Sequence, residues 1–179
     1  MTDWNDEDEY EYRDTPSSQC DGLIDEEAED VRDLMEWGEN VGLSKLMTTR
    51  EGANFVRIGN LWLVPLMGGQ PIHHDRHILS EEDGSIHTWN IVCHGEGDQM
   101  LVTEVSRDIF NHIPLKRGAM VYLNTLNRHL VSRNEGKEIC VLIQHTFPER
   151  PDPEEALATI IREWRRVTSP AFDQDPISS

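Results

Sequence analysis

Pro71-Ile72-His73-His74-Asp75-Arg76-His77 is the stretch whose reading decides the fold. In an extended strand successive side chains alternate faces, so His73 and Asp75 point one way and His74 the other. An imidazole and a carboxylate two residues apart supply two corners of a metal site. The third corner is expected from His129, far along the chain. Three protein ligands on one face leave three coordination positions open. His77 shares the face of His73 and Asp75 if the strand is unbroken.

Outward from that stretch the chain reads as short strands. Phe55–Ile58 and Leu61–Leu66 are rich in branched and aromatic residues and are separated by Gly59-Asn60, with Gly68-Gly69 beyond. Ser80–Ser85 is a polar turn. Ile86–Val92, a Gly95-Glu96-Gly97 turn and Gln99–Val105 follow, then a Lys116-Arg117-Gly118 turn, Ala119–Leu123, Leu130–Ser132 and Glu138–Gln144. About eight short strands joined by Gly, Pro and Asn turns, with no helical pattern between them, predict a sandwich or jelly roll.

A helix is expected on either side. Residues 25–37 carry Val31, Leu34 and Met35 at helical spacing, acids in the first turn, and Gly38 as a stop. Leu43, Leu46 and Met47 repeat that spacing weakly. Asp152-Pro153 starts a second helix, with Glu154 and Glu155 in its first turn and Arg162, Arg165 and Arg166 in its last. Leu157, Ile160, Ile161 and Trp164 form its apolar stripe.

Charge sets the outer boundaries. Residues 1–30 hold thirteen Asp or Glu against Arg13 alone, so −12 of the net −18 lies there and the remaining residues carry −6. Residues 1–24 are therefore read as an acidic, disordered arm, 25–167 as one domain, and 168–179 as a loose tail. The arm is a solubilising tail or a site for a basic protein partner. The acidic balance disfavours duplex nucleic acid. No apolar run reaches the length of a membrane span, and no signal peptide is apparent at Met1. Cys20, Cys93 and Cys140 are odd in number and lack CxxC spacing, so no disulfide framework is indicated. A cytoplasmic location is expected.

His129 follows the Gly118-led strand and the polar turn Asn124-Thr125-Leu126-Asn127-Arg128, which places its imidazole at a strand edge facing the interior. Lys137, at the mouth of the last strand, can pair with a carboxylate lying over the metal. The order is His-x-Asp, a strand at Thr88–Val92, a Gly-led strand, a His, and a cation before the closing strand. In that order, over roughly residues 55–147, the chain resembles the Fe(II)/2-oxoglutarate-dependent oxygenases, in particular the aspartyl/asparaginyl β-hydroxylase and proline-hydroxylase branch.

The resemblance implies a mainly β, double-stranded β-helix (jelly roll, cupin-like) with flanking N- and C-terminal helices. It implies Fe(II) held by His73, Asp75 and His129, and 2-oxoglutarate as cosubstrate, its far carboxylate clamped by Lys137 with Arg133 as the competing cation. Thr88 and Asn90 would lie on a cosubstrate-contacting strand. No catalytic residue beyond the metal ligands is implied. The substrate would be an amino acid, a peptide or a small metabolite.

Two other readings stand beside it. The Gly118–His129 spacing also suits the second motif of cupins, whose first motif wants two His one residue apart and a later Glu. Here Asp75 follows His73, with Glu81 and Glu82 beyond. A cupin would bind metal without 2-oxoglutarate. The third reading is a non-catalytic protein acting through the acidic arm. His74, His77, His87, His94, His112 and His145 read as surface or satisfied polar residues, with His77 the exception because it shares the face of His73 and Asp75. Trp62 and Trp89 read as core, and Trp164 as helix packing.

Overall fold

The structure is a computed structural model that describes residues 18–48, 56–66, 87–125, 127–132 and 139–171. In chain order the elements are β1 (Ser18–Leu23), α1 (Glu29–Thr48), β2 (Val56–Ile58), β3 (Leu61–Leu66) and β4 (His87–His94). They continue with β5 (Glu96–Ser106), β6 (Ile109–Lys116), β7 (Ala119–Asn124), β8 (His129–Val131), β9 (Cys140–Phe147) and α2 (Pro153–Thr168).

Two antiparallel sheets face each other. The larger has the order β1-β7-β4-β9-β3-β2 and the smaller β6-β5-β8. From β4 onward the chain crosses from the large sheet to the small, back at β7, over again at β8, and back at β9. This is the expected double-stranded β-helix with two flanking helices.

Alternation along the strands divides the interior into two cores. Val64, Val92, Val121 and Leu142 of the large sheet meet Leu101, Ile113, Leu115 and Val131 of the small one. The other face of the large sheet, with Leu63, Trp89, Ile91, Tyr122 and Ile143, meets Leu34 and Met35 of α1 and Ile160 of α2. No described helix is long and apolar enough to cross a membrane.

α2 forms as the sequence predicts. Asp152 is its N-cap, accepting from the Glu155 backbone N–H at 2.8 Å, and Pro153 opens the first turn. Its apolar stripe is centred on buried Ile160, with Ala156 and Val167 buried beside it and Leu157, Ile161 and Trp164 partly buried.

α1 departs from expectation. It starts at Glu29 rather than residue 25, and it runs through Gly38 to Thr48. Gly38 and Gly42 are one turn apart on the face that meets β9. A Cβ on Gly38 would lie 2.7 Å from Ile143 Cδ1, and one on Gly42 would strike Val141 Cγ1. Both glycines permit close helix–sheet approach, so the spacing that suggested a stop marks a contact.

The acidic arm was expected to extend to residue 24, but Ser18–Leu23 form β1, paired with β7 in the register Ser18↔Leu123 and Leu23↔Ala119. Backbone pairing along an edge does not require apolar side chains, and only Asp21 is charged in this segment. The expected turn at Gly95-Glu96-Gly97 shrinks to Gly95, because β5 already starts at Glu96 and absorbs Gly97 (φ +91°) at an irregularity in its pairing with β6. β6 had no counterpart in the sequence reading. It is an outer strand of its sheet, with only Ile113 and Leu115 buried, and Pro114 interrupts its pattern. β9 reaches Phe147, three residues past its expected end at Gln144.

Candidate functional site

The crossings between sheets define two ends of the sandwich. At one end the chain leaves the large sheet through Gly95 and returns through Arg117-Gly118. These turns are joined by Arg117 N–H to Gly95 O (2.9 Å) and Gly118 N–H to Val92 O (2.8 Å). Arg117 is fastened there by Glu26 (3.0 Å), by Glu39, and by the Cys93 carbonyl (2.6 Å). β7 leads into β8 at the opposite end. The start of β4, the end of β5 and the start of β8 therefore lie together, away from the Gly95 turn.

The inner face changes character toward that second end. On β4 the inward residues are Val92, then Asn90, then Thr88; on β9 they are Leu142, then Gln144, then Thr146. Asn90 pairs with Gln144 and Thr88 with Thr146 in the ladder. Gln144 Nε2 donates to Asn90 Oδ1 (3.1 Å), and Asn90 Nδ2 donates to the Val121 carbonyl (3.3 Å). Thr88 is fully buried, and its hydroxyl has no hydrogen-bond partner among the described residues. An orphaned buried hydroxyl is costly to a folded protein and points to a missing partner.

Across the sandwich, Thr103 on β5 pairs with His129, and the next inward pair is Leu101 with Val131. Thr103 and His129 thus continue the inward row of the small sheet. His129 is 4% exposed and opens β8, where the sequence placed it. Its Nδ1 lies 2.7 Å from the Asn127 carbonyl oxygen. A carbonyl only accepts, so Nδ1 carries the proton, and in the neutral ring the lone pair belongs to Nε2. That tautomer is the one an imidazole ligating a metal through Nε2 adopts.

The turn leading to His129 is buried although polar: Asn124, Thr125 and Asn127 are each at most 6% exposed. Beneath it, Glu104 is 3% exposed and accepts from Arg128 through both carboxylate oxygens, at 2.6 and 2.8 Å. Sequence reading missed Glu104, Arg128 and Gln144. The alternation of Cys140, Leu142, Gln144 and Thr146 would have revealed Gln144.

Of the residues expected to bind iron or cosubstrate, the structure places Thr88, Asn90 and His129 toward one end of the sandwich, on facing inner surfaces. His73, Asp75, Arg133 and Lys137 lie outside the described residues, as does His77. Among the described residues no three His, Cys, Asp or Glu side chains converge as a metal-binding group. Several other histidines are engaged elsewhere. His87 Nδ1 is 2.6 Å from the Tyr122 hydroxyl, and burial, with Arg150 adding to it, lowers the His87 pKa. His145 Nδ1 donates to the Thr146 carbonyl (2.9 Å), and burial lowers its pKa too. His94 lies 3.5 Å from Glu39. Trp89 is core, and Trp164 packs α2, as expected.

No protein-family model matches the chain, and no curated protein does. Solved structures do. AviO1 from Streptomyces viridochromogenes Tue57 superposes with a TM-score of 0.50, at 11% identity, over 84% of this chain and 99% of its own. A prolyl-4-hydroxylase from Pseudomonas putida gives 0.41 at 14% identity over 75% and 73%. The CENP-C cupin domain of Drosophila melanogaster gives 0.39 at 17% identity over 69% and 100%. The first likeness bears on the fold alone, and the two lower scores carry no argument about activity. The class defined by fold and inner face is a double-stranded β-helix protein whose inner face turns polar toward the His129 end.

Proposed function

We propose that this chain is a non-haem Fe(II)/2-oxoglutarate-dependent oxygenase that hydroxylates an amino acid, a peptide or a small metabolite. The observation that carries the reading is His129, buried on the inner face with its Nδ1 proton engaged by the Asn127 carbonyl. Thr88 fits the same reading, because an oxygen-rich cosubstrate would give its buried hydroxyl a partner.

In this reading His129 Nε2 is one ligand, and His73 and Asp75 are the other two. β3 ends at Leu66, on the Gly95 side of the sandwich, and β4 begins at His87 on the His129 side. The chain between them carries both remaining ligands. Bound Fe(II), with 2-oxoglutarate and O2, supplies the oxidising power for cleaving an unreactive C–H bond. The protein's own work is different. His129 is held in one tautomer. The apolar half of the core, from Val92 to Leu115, keeps water from the inner side of the site. Thr88 and the Asn90–Gln144 amide pair offer neutral hydrogen-bonding groups for orientation. Lys137, with Arg133 as competitor, would provide the cation for the far carboxylate of 2-oxoglutarate.

The test is anaerobic titration of Fe(II) into metal-stripped protein, with and without 2-oxoglutarate, followed by visible absorption. A weak charge-transfer band that needs both additions, and is lost in His73→Ala and His129→Ala, is the expected result. Iron binding without such a band would move the chain to the cupin reading. Absence of metal binding would refute both and turn attention to the acidic N-terminal arm and a basic partner.

A further inference from the structure

Glu104 is the most deeply buried carboxylate among the described residues, and it lies directly behind the strand start that presents His129. Its side chain accepts a two-pronged contact from Arg128, Nε to Oε2 at 2.6 Å and Nη2 to Oε1 at 2.8 Å. Oε1 also accepts the Asp108 backbone N–H at 3.0 Å. Asp108 is the one described non-glycine residue in the left-handed region, at φ 60°. The Glu104 main chain is tied to the same turn as its side chain. Its N–H donates to the Arg128 carbonyl (2.9 Å), and its carbonyl accepts from Asn127 Nδ2 (3.5 Å). The Asn127 N–H in turn donates to the Asn124 carbonyl at 3.1 Å.

These contacts converge on the turn that holds Asn127. The Asn127 carbonyl oxygen accepts the His129 Nδ1 proton, and Asn127 is held from both sides: by Asn124 within the turn and by Glu104 across it. The fork from Arg128, next in sequence to His129, fixes the direction in which the chain enters β8. Fork-shaped guanidinium–carboxylate pairs carry geometric specificity as well as energy. A buried pair of this kind is weak evidence for stability and is best understood as fixing one arrangement among several.

We infer that Glu104 and Arg128 are positioning residues for His129: they hold the Asn127 carbonyl where it selects the Nδ1–H tautomer and aims Nε2 inward. The consequence for metal affinity rests on the proposed oxygenase reading; the consequence for the tautomer does not. Groups that orient a ligating imidazole from outside the coordination sphere are worth about ten- to a hundredfold in metal affinity.

The experiment uses the full chain with Glu104→Gln and Arg128→Lys, each checked for folding by circular dichroism. Arg128→Lys keeps the charge but not the fork, and its site is one-third exposed, so it guards against Glu104→Gln failing to fold. Two-bond 1H–15N spectra of the metal-free protein at pH 8 read the His129 tautomer. The wild type is expected to show a protonated Nδ1 and an unprotonated Nε2, and the folded variants a mixture. In parallel, titration with Mn(II) alone is expected to show dissociation constants about ten- to a hundredfold higher in the variants. A structural role alone would lower the melting temperature and leave the His129 nitrogen shifts unchanged at 25 °C. Folded variants with the wild-type His129 pattern would overturn the inference. If wild-type protein binds no Mn(II) while the variants still scramble the tautomer, the metal reading fails and the positioning role stands.

Discussion

Gly42→Ala gives the sharpest test of how α1 is seated. In an exposed helix interior, replacing Gly by Ala stabilises by about 0.8–1 kcal/mol, because alanine loses less backbone freedom on folding. Here the new methyl group would collide with Val141 Cγ1 and lie 3.2 Å from Cγ2 and 3.4 Å from Cβ. Val141 is β-branched, fully buried in the central strand β9, and has few rotamers to escape into. Overpacking of this kind costs about 1–3 kcal/mol. Set against the propensity gain, the clash leaves a net expected loss of up to about 2 kcal/mol.

Gly38→Ala meets a softer neighbour. Its nearest contact is Ile143 Cδ1 at 2.7 Å, the far end of a side chain, with Cγ1 at 2.9 Å and Cys93 Sγ at 3.0 Å behind it. The terminal methyl can swing, so the expected cost is about 1 kcal/mol or less. Urea unfolding at 25 °C, monitored by tryptophan fluorescence, measures both, and each kcal/mol should also move the melting temperature by about 2–4 °C. In the double variant Gly42→Ala/Val141→Ala the clash is gone, so the two substitutions should couple favourably by about 1 kcal/mol or more. A Gly42→Ala protein that is more stable than wild type, with no coupling to Val141, would refute the packing of α1 on β9.

Glu163 lies mostly buried on α2, accepts from Arg166 and from the Asn60 N–H at 3.0 Å, and titrates below its ordinary 4.5, chiefly through the Arg166 hydrogen bond. Its folded pKa is depressed, so its contribution is present above pH 4.5 and lost as pH falls through the folded value. Glu163→Gln should therefore cost about 1–2 kcal/mol at pH 7, and the gap from wild type should close in melts below pH 4. His87 and His145 are held neutral by burial, so wild-type stability should begin to fall as pH drops below their ordinary 6.5; His87→Gln should flatten that slope. Asp152→Ala removes the cap of α2 and should cost about 1 kcal/mol in urea unfolding. Cys93 and Cys140 are buried, with burial pushing both thiol pKa values up, Cys140 to about 12, so iodoacetamide at pH 8 should label them only when urea unfolds the chain.

How much could be read from the chain depended on whether local pattern and tertiary role agreed. β3, β4, β7 and α2 were legible because branched residues, glycine turns and a capped helix start all favour the form they take. β6 was not, since its burial is limited to Ile113 and Leu115 and its proline breaks the pattern. α1 was cut short for the opposite reason. Gly38 carries a local stop signal, but the contact with Ile143 favours a residue with no side chain there, and that contact joins residues 105 positions apart. Sequence order alone cannot display it.

The candidate site divides the same way. His129 stood out because a Gly-led strand, a polar turn and a histidine follow one another within a few residues. Glu104 and Arg128 did not, because a carboxylate 24 residues from an arginine acquires meaning only through the β5–β8 register. Once that register is known, the two ends of the sandwich differ in kind. Around Gly95 the inner face is mainly Val92, Leu115, Ala119 and Leu142, which secure the fold by burial, interrupted by buried Gln99, whose side-chain amide has no hydrogen-bond partner among the described residues. Toward His129 it is Thr88, Asn90, Thr103 and Gln144, where buried polar groups cost stability unless each finds a partner. Thr88 at this end and Gln99 at the other, each buried with side-chain polar atoms left unsatisfied, are where consistency between local chemistry and fold fails. Such failures are expected where a chain is shaped for a ligand rather than for its own stability.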